Sequence, residues 1–160
     1  MSYLKLIKLL YLLDREALLR WGRPVTTDRY VSMGNGPVVC RIYDLIREEP
    51  APGADPIWRQ FISAPNNYEV SLMVELETDE LSSAEESLIG EIFAKYGKLS
   101  RWDLVNLSHE LAEWQDPKGS AIPIEYRDIL RAGNKTESEI AAIESELEAL
   151  AAAEAMLQPA

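Results

Sequence analysis

Apolar residues fall at Leu6, Leu9, Leu10, Leu13, Ala17 and Leu18, the i, i+3, i+4 spacing of a helix. Leu4, Ile7, Leu12 and Leu19 widen the arc past one stripe. The pattern predicts a helix over Tyr3–Trp21, stopped by Gly22 and Pro24. A helix apolar on most sides belongs at the centre of a core. Val25–Met33 reads as an extended segment entering the turn Gly34-Asn35-Gly36. Pro37 suits the first position of a second helix, where its missing N–H costs nothing. Val38, Ile42, Leu45 and Ile46 would give that helix its apolar face. The run Pro50 to Pro56 is a surface loop.

The clearest alternation is Tyr68–Glu77, with Tyr68, Val70, Leu72, Val74 and Leu76 on one side. It predicts a half-buried strand, paired with Ile57–Ser63 around Ala64–Asn67. Helical periodicity then returns. Ser82 with Glu85, or Ser83 with Glu86, offers a capping box. The buried face that follows is Leu88, Ile89, Ile92, Phe93 and Tyr96, with Gly97 as the stop. Ser100 with Asp103 opens another helix toward Trp114, and Pro123–Arg131 makes a short one closed near Gly133. Thr136 with Glu139 opens the last, where Ile140, Ile143, Leu147 and Leu150 keep a/d spacing until Glu154 breaks it. Two heptads favour a helix packed on its own domain over an oligomer seam. The expected class is α+β, mainly α-helical: a central N-terminal helix, helices around it, and a small β-hairpin or sheet.

A chain of 160 residues and 18.0 kDa fits one domain able to fold on its own core. Cys40 is the single cysteine and His109 the single histidine. No intrachain disulfide and no Cys/His zinc set can be assembled, and a reducing, cytoplasmic location is the simplest reading. Charged residues interrupt the N-terminal apolar stretch, so no membrane span is expected.

Charge sharpens the picture. The total of −11 argues against bulk phosphate or anionic-membrane binding. Yet residues 1–47 carry eight basic and four acidic side chains, whereas Thr136–Ala160 holds six glutamates and no Lys or Arg. The two ends either attract each other or present two distinct surfaces.

The candidate chemistry is thin. His109 is a possible catalyst because imidazole titrates near neutrality. Glu113, four residues on, could share its helical face as a second metal ligand would, but two ligands are too few and no His-Glu-x-x-His motif is present. An imidazole hydrogen-bonded at a helix end is the favoured reading. Gly34-Asn35-Gly36-Pro37 matches neither the Walker nor the dinucleotide spacing and reads as a turn. Basic residues near Tyr3, Tyr11, Trp21, Tyr30 and Tyr43 accompany no recognisable nucleic-acid motif, and a protein-binding face suits them at least as well. No catalytic, cofactor or metal set emerges.

Particular segments carry a resemblance. Lys5-Leu6-Ile7-Lys8-Leu9-Leu10-Tyr11, Trp21-Gly22-Arg23-Pro24 and Met33-Gly34-Asn35-Gly36-Pro37-Val38-Val39 resemble the opening of the Panacea domain, the SocA-like antitoxin family. Arg41–Ile46, Phe93–Gly97, Leu107–Glu110 with Glu113-Trp114, Ile122–Ile124 and Asp128–Ala132 continue it. Asn35 departs from the bulky aromatic or His that many relatives place before Gly-Pro. The resemblance implies a Panacea domain over residues 1–135, with 136–160 an acidic helix packed on it or at a homo-oligomer seam. It implies a non-enzymatic antitoxin that neutralises a cognate toxin by direct contact, or an adaptor that delivers the toxin to the ClpXP protease. Because the chain opens directly on the shared domain, a DNA-binding module is not expected. Tyr11, Arg15, Arg20, Trp21 and Arg41, on the basic segment, are the candidate toxin contacts. Two rivals are a nucleic-acid-binding regulator using that segment and a hydrolase using His109.

Overall fold

The computed structural model describes residues 1–47, 57–75 and 80–157. Tyr3–Trp21 forms helix α1, as its spacing predicts. Gly22 closes it in the left-handed region (φ 73°), its N–H reaching the Leu18 carbonyl at 2.9 Å. The wide apolar arc makes α1 the hub of the molecule. Ile7 packs with Val38, Ile46 and Val70. Leu9, Leu12, Leu13 and Ala17 pack with Leu88, Ile92 and Leu104. Tyr11 and Leu18 pack with Tyr30, Val39, Ile129, Leu130 and Ile140. Every buried cluster among the described residues therefore draws on this one helix.

The sheet is antiparallel, in the order β2-β1-β3, with β1 Tyr30–Met33, β2 Gly36–Val39 and β3 Ile122–Ile124. Gly34 and Asn35 alone turn β1 into β2. Pro37 consequently does not start a helix; it stands in an edge strand, opposite Ser32. The Cys40 N–H bonds the Arg29 carbonyl at 2.9 Å, which sets the phase of the ladder. In that phase residue 37 has no donor to give toward β1, so proline is harmless there. Its carbonyl points off the free edge and accepts Lys8 Nζ at 2.6 Å. Helix α2 begins later, at Cys40, and runs to Ile46. Its first N–H groups are capped from a distance: Arg41 N and Ile42 N donate to the Asp28 carboxylate at 3.0 and 3.2 Å. Pro123 likewise lies in β3 opposite Val31, and the helix expected from it starts at Tyr126.

The expected strand over Tyr68–Glu77 is also corrected. Among the described residues only isolated bridges join it, Ile62 to Leu72 and Glu69 to both Ser2 and Asn66. Of its described apolar positions Val70 alone is buried, while Tyr68, Leu72 and Val74 stand exposed. Part of the expected partner forms a one-turn helix instead, α3 (Trp58–Phe61). The hairpin survives as single bonds, Ser63 N to Ser71 O at 2.9 Å and Met73 N to Phe61 O at 2.7 Å. Leu76, Glu77 and the Pro50–Pro56 loop lie outside the described residues.

Three further helices start at the boxes read from the sequence. Helix α4 (Ser83–Tyr96) is capped by Ser82 with Glu85, and α5 (Arg101–His109) by Ser100 with Asp103. In α7 (Glu137–Leu157), Thr136 and Glu139 exchange the same bonds. Of the expected face of α4, Leu88 and Ile92 are buried and Tyr96 packs beside them, while Ile89 and Phe93 stand exposed. Helix α6 (Tyr126–Ala132) ties to α7 through Arg127–Glu144 and Arg131–Glu137. Ile140 of α7 is buried, and Ile143 and Leu147 pack beside it. Thus two glutamates of the acidic tail are matched by α6 rather than by the basic N-terminal segment. No helix among the described residues is long and apolar enough to cross a membrane.

Candidate functional site

Residues 109–115 strap across the β1–β2 hairpin. Side chains of the strap reach two carbonyls at this turn, that of Gly34 in the turn itself and that of Met33 at the end of β1. His109 Nε2 lies 3.1 Å from the Gly34 oxygen, which can only accept, so this nitrogen carries the proton. Trp114 Nε1 donates to Met33 O at 3.1 Å, and Gln115 N to Ser32 Oγ at 3.2 Å. The imidazole and indole stack at 4.1 Å. His109 is therefore a clasp at the end of α5, as expected of a structural imidazole. The helix stops at His109, short of the expected Trp114, so Glu113 does not share its face.

Glu113 turns inward. Its side chain is fully buried, where it accepts from Arg15 Nε at 2.7 Å and Tyr11 Oη at 3.0 Å. Tyr11 is 0% exposed, and burial beside this carboxylate pushes its phenol pKa up. A buried ring cannot meet a partner protein, so as a toxin contact Tyr11 is corrected: it belongs to the core. Arg15 retains some surface but is committed to Glu113. Arg20, nine residues on from Tyr11, faces the opposite side of α1 and pairs with Glu16 at 2.7 Å and Glu91 at 2.8 Å. Trp21 and Arg41 are exposed, at the end of α1 and the start of α2. The five residues thus divide between core and surface instead of making one face.

A second polar knot joins α1 to the loop before the sheet. Asp14, 1% exposed, accepts from Val25 N (2.9 Å), Thr26 N (2.8 Å), Thr26 Oγ1 and Tyr30 Oη (2.8 Å). Burial pushes its carboxyl pKa up, opposed by those hydrogen bonds.

What sequence reading missed lies at the other end of α1. A cavity of about 440 Å³ opens between the α1 N-terminus, the hairpin turn and α5. Its floor includes Lys8, 1% exposed, and its rim Tyr43, Tyr68, Arg101 and Trp102. Tyr68 is 66% and Trp102 52% exposed, and the Arg101 guanidinium sits 5.3 Å from the Trp102 ring centre. Tyr68 also adopts the left-handed region (φ 64°), unusual for a bulky side chain. Tyr68 and Trp102 come from distant parts of the chain, so no local pattern could have joined them.

Burial lowers the Lys8 pKa to about 7. In the unfolded chain that amine stays protonated to about 10.4, so the unfolded state holds more protons between these values. Folding stability should accordingly rise by up to about 4 kcal/mol from pH 7 to 10. Above 10 it should fall, because Tyr11 and Tyr30 stay protonated only in the fold. Urea midpoints across this range test both limbs, and Lys8→Met should flatten the rising one.

The fold and site define a mainly helical α+β domain in which charged groups brace the interior and aromatic groups gather at one rim. The chain belongs to the antitoxin SocA-like, Panacea domain family, whose profile matches residues 6–115. No curated protein and no solved structure matches it. The matched span ends at Gln115, the last residue of the strap, and so contains every clasp contact described above. Strand β3, α6 and α7 follow it, yet they supply Ile124, Ile129, Leu130 and Ile140 to the core.

Proposed function

We propose that this antitoxin-family protein neutralises a cognate toxin by direct protein–protein contact, without catalysis, through the rim around the α1 N-terminus. The observation that supports this reading is the concentration of exposed Tyr68 and Trp102 with the half-buried Arg101 in one place. Tyr, Trp and Arg supply most of the binding energy at protein interfaces. Surface aromatic rings of this size gain little where they stand unless something covers them. The net charge of −11 would speed capture of a basic partner by steering.

Co-expression and co-purification with the product of the adjacent gene test the proposal. Trp102→Ala and Tyr68→Ala should leave the fold intact, since both side chains are exposed, and weaken the complex by about 2 kcal/mol each. Relief of toxicity should weaken in parallel. A complex that tolerates both changes but fails with Arg20→Ala or Arg41→Ala would move the interface to those residues. No complex and no relief of toxicity would remove the reading altogether.

A further inference from the structure

We propose that the cavity at the α1 N-terminus binds a monoanionic carboxylate borne on an apolar body, with Lys8 as its buried counter-ion and Arg101 at its mouth. The source is either a free organic acid or the carboxyl end of a peptide.

The cation comes first. Lys8 Nζ is buried and donates to the Pro37 carbonyl at 2.6 Å. An ammonium has three protons, and among the described residues the other two have no acceptor and no carboxylate pairs with it. A buried charge left in that state is costly, and an anion would complete it. The hydroxyl of Ser2, at the N-cap of α1, makes no capping bond, and its oxygen is buried with no hydrogen-bond partner among the described residues. Ser2 also lines the cavity. The first turn of a 19-residue helix adds its own positive end to the same space.

Charge selection agrees. In a chain with 27 acidic residues against 16 basic ones, no Asp or Glu among the described residues lines this cavity. The neighbouring cavity, of about 670 Å³, is lined by Asp28, Asp44 and Glu125. Size and lining then define the ligand. About 440 Å³ falls in the range of small-ligand pockets, and Ile7, Val38, Met33 and Trp102 give it apolar walls. The ammonium at the floor balances one negative charge there, while the Arg101 guanidinium stands at the rim, so a single carboxylate on an apolar body fits the enclosed part of the cavity.

The test titrates the whole protein with hydrocinnamate and with its neutral amide, following backbone amide resonances. The acid should perturb the cavity residues and bind about tenfold or more tightly than the amide, as charge-assisted hydrogen bonds require. Lys8→Met should abolish binding, its fold being checked from the same spectra. Arg101→Gln, at the rim, should weaken binding several-fold. An acetylated tripeptide ending in Phe, as free acid and as amide, separates the sources. Tighter binding of the peptide acid assigns the site to a peptide terminus, and binding of hydrocinnamate alone assigns it to a small acid. The proposal is overturned if acid and amide bind alike, if neither perturbs the cavity at millimolar concentration, or if the variants bind the acid as the parent does. None of these readouts involves the toxin, so this site and the toxin interface stand or fall separately.

Discussion

Arg15→Met is expected to destabilise the protein by about 3–5 kcal/mol, because it strands the Glu113 carboxylate in the interior. The guanidinium supplies the 2.7 Å partner of a carboxylate with no exposed side-chain surface. Tyr11 would remain its single donor among the described residues, at 3.0 Å. Tyr11→Phe should cost less, about 1–3 kcal/mol, since Arg15 still neutralises the charge. Chemical denaturation of both variants checks the order. Pairing Arg15→Met with Glu113→Gln should recover a large part of the loss, because the second change removes the stranded charge. Equal stability of Arg15→Met and parent would mean that the pair contributes nothing. The experiment also decides how any effect on toxin binding is read. If Arg15→Met weakens the complex only in proportion to its loss of fold, Arg15 is a brace and not a contact.

Gly36→Ala should cost about 2–5 kcal/mol, for two separable reasons. Gly36 has φ +91°, where an L side chain is strained. A Cβ there would also overlap Ser108 Oγ and come within 3.2 Å of Lys8 Nζ. Adding Ser108→Ala to Gly36→Ala should relieve the overlap but not the backbone strain, so recovery should be partial. Complete recovery would assign the whole effect to crowding, and none would assign it to φ. The same substitution should disturb the His109–Gly34 and Trp114–Met33 contacts, read as a change in indole fluorescence. Gly34 lies two residues earlier, where an added Cβ would meet nothing within 4 Å, and it should accept alanine with far less effect.

Local chemistry made several elements legible. Helix α1 could be bounded to the residue because its apolar arc is long and its glycine stop lies at the end. The starts of α4, α5 and α7 were readable because a capping box is a contact between residues three apart. The two prolines misled for one reason. Pro37 and Pro123 suit a helix start and an edge strand equally well, and only pairing with β1 decides between them. Tyr68–Val74 misled differently. Alternation predicts which side chains share a face, not whether another surface will cover that face, and here only Val70 is covered.

The opposite holds for the candidate site. His109, Glu113 and Trp114 stand out in sequence as unusual residue types close together, and they are indeed close. Their partners lie 75 to 102 residues away, on the hairpin and on α1, so their work as clasps is a long-range fact. Tyr11 and Arg15 belong, in sequence, to a basic and aromatic segment, and burial turns them inward.

By itself, the sequence determined the central helix, the capping boxes, the mainly helical α+β class and the family resemblance. These depend on periodicity, on neighbours within a turn, or on ordered segments, all of which are linear properties. Tertiary structure alone decided which charges are interior and which aromatic groups share a rim. It also decided that Lys8, on the same helix as the bracing Asp14 and Arg15, faces a cavity with no acidic side chain in its lining among the described residues. Burial and electrostatic environment are set by the residues that folding brings from elsewhere in the chain, and a spacing rule contains no information about them.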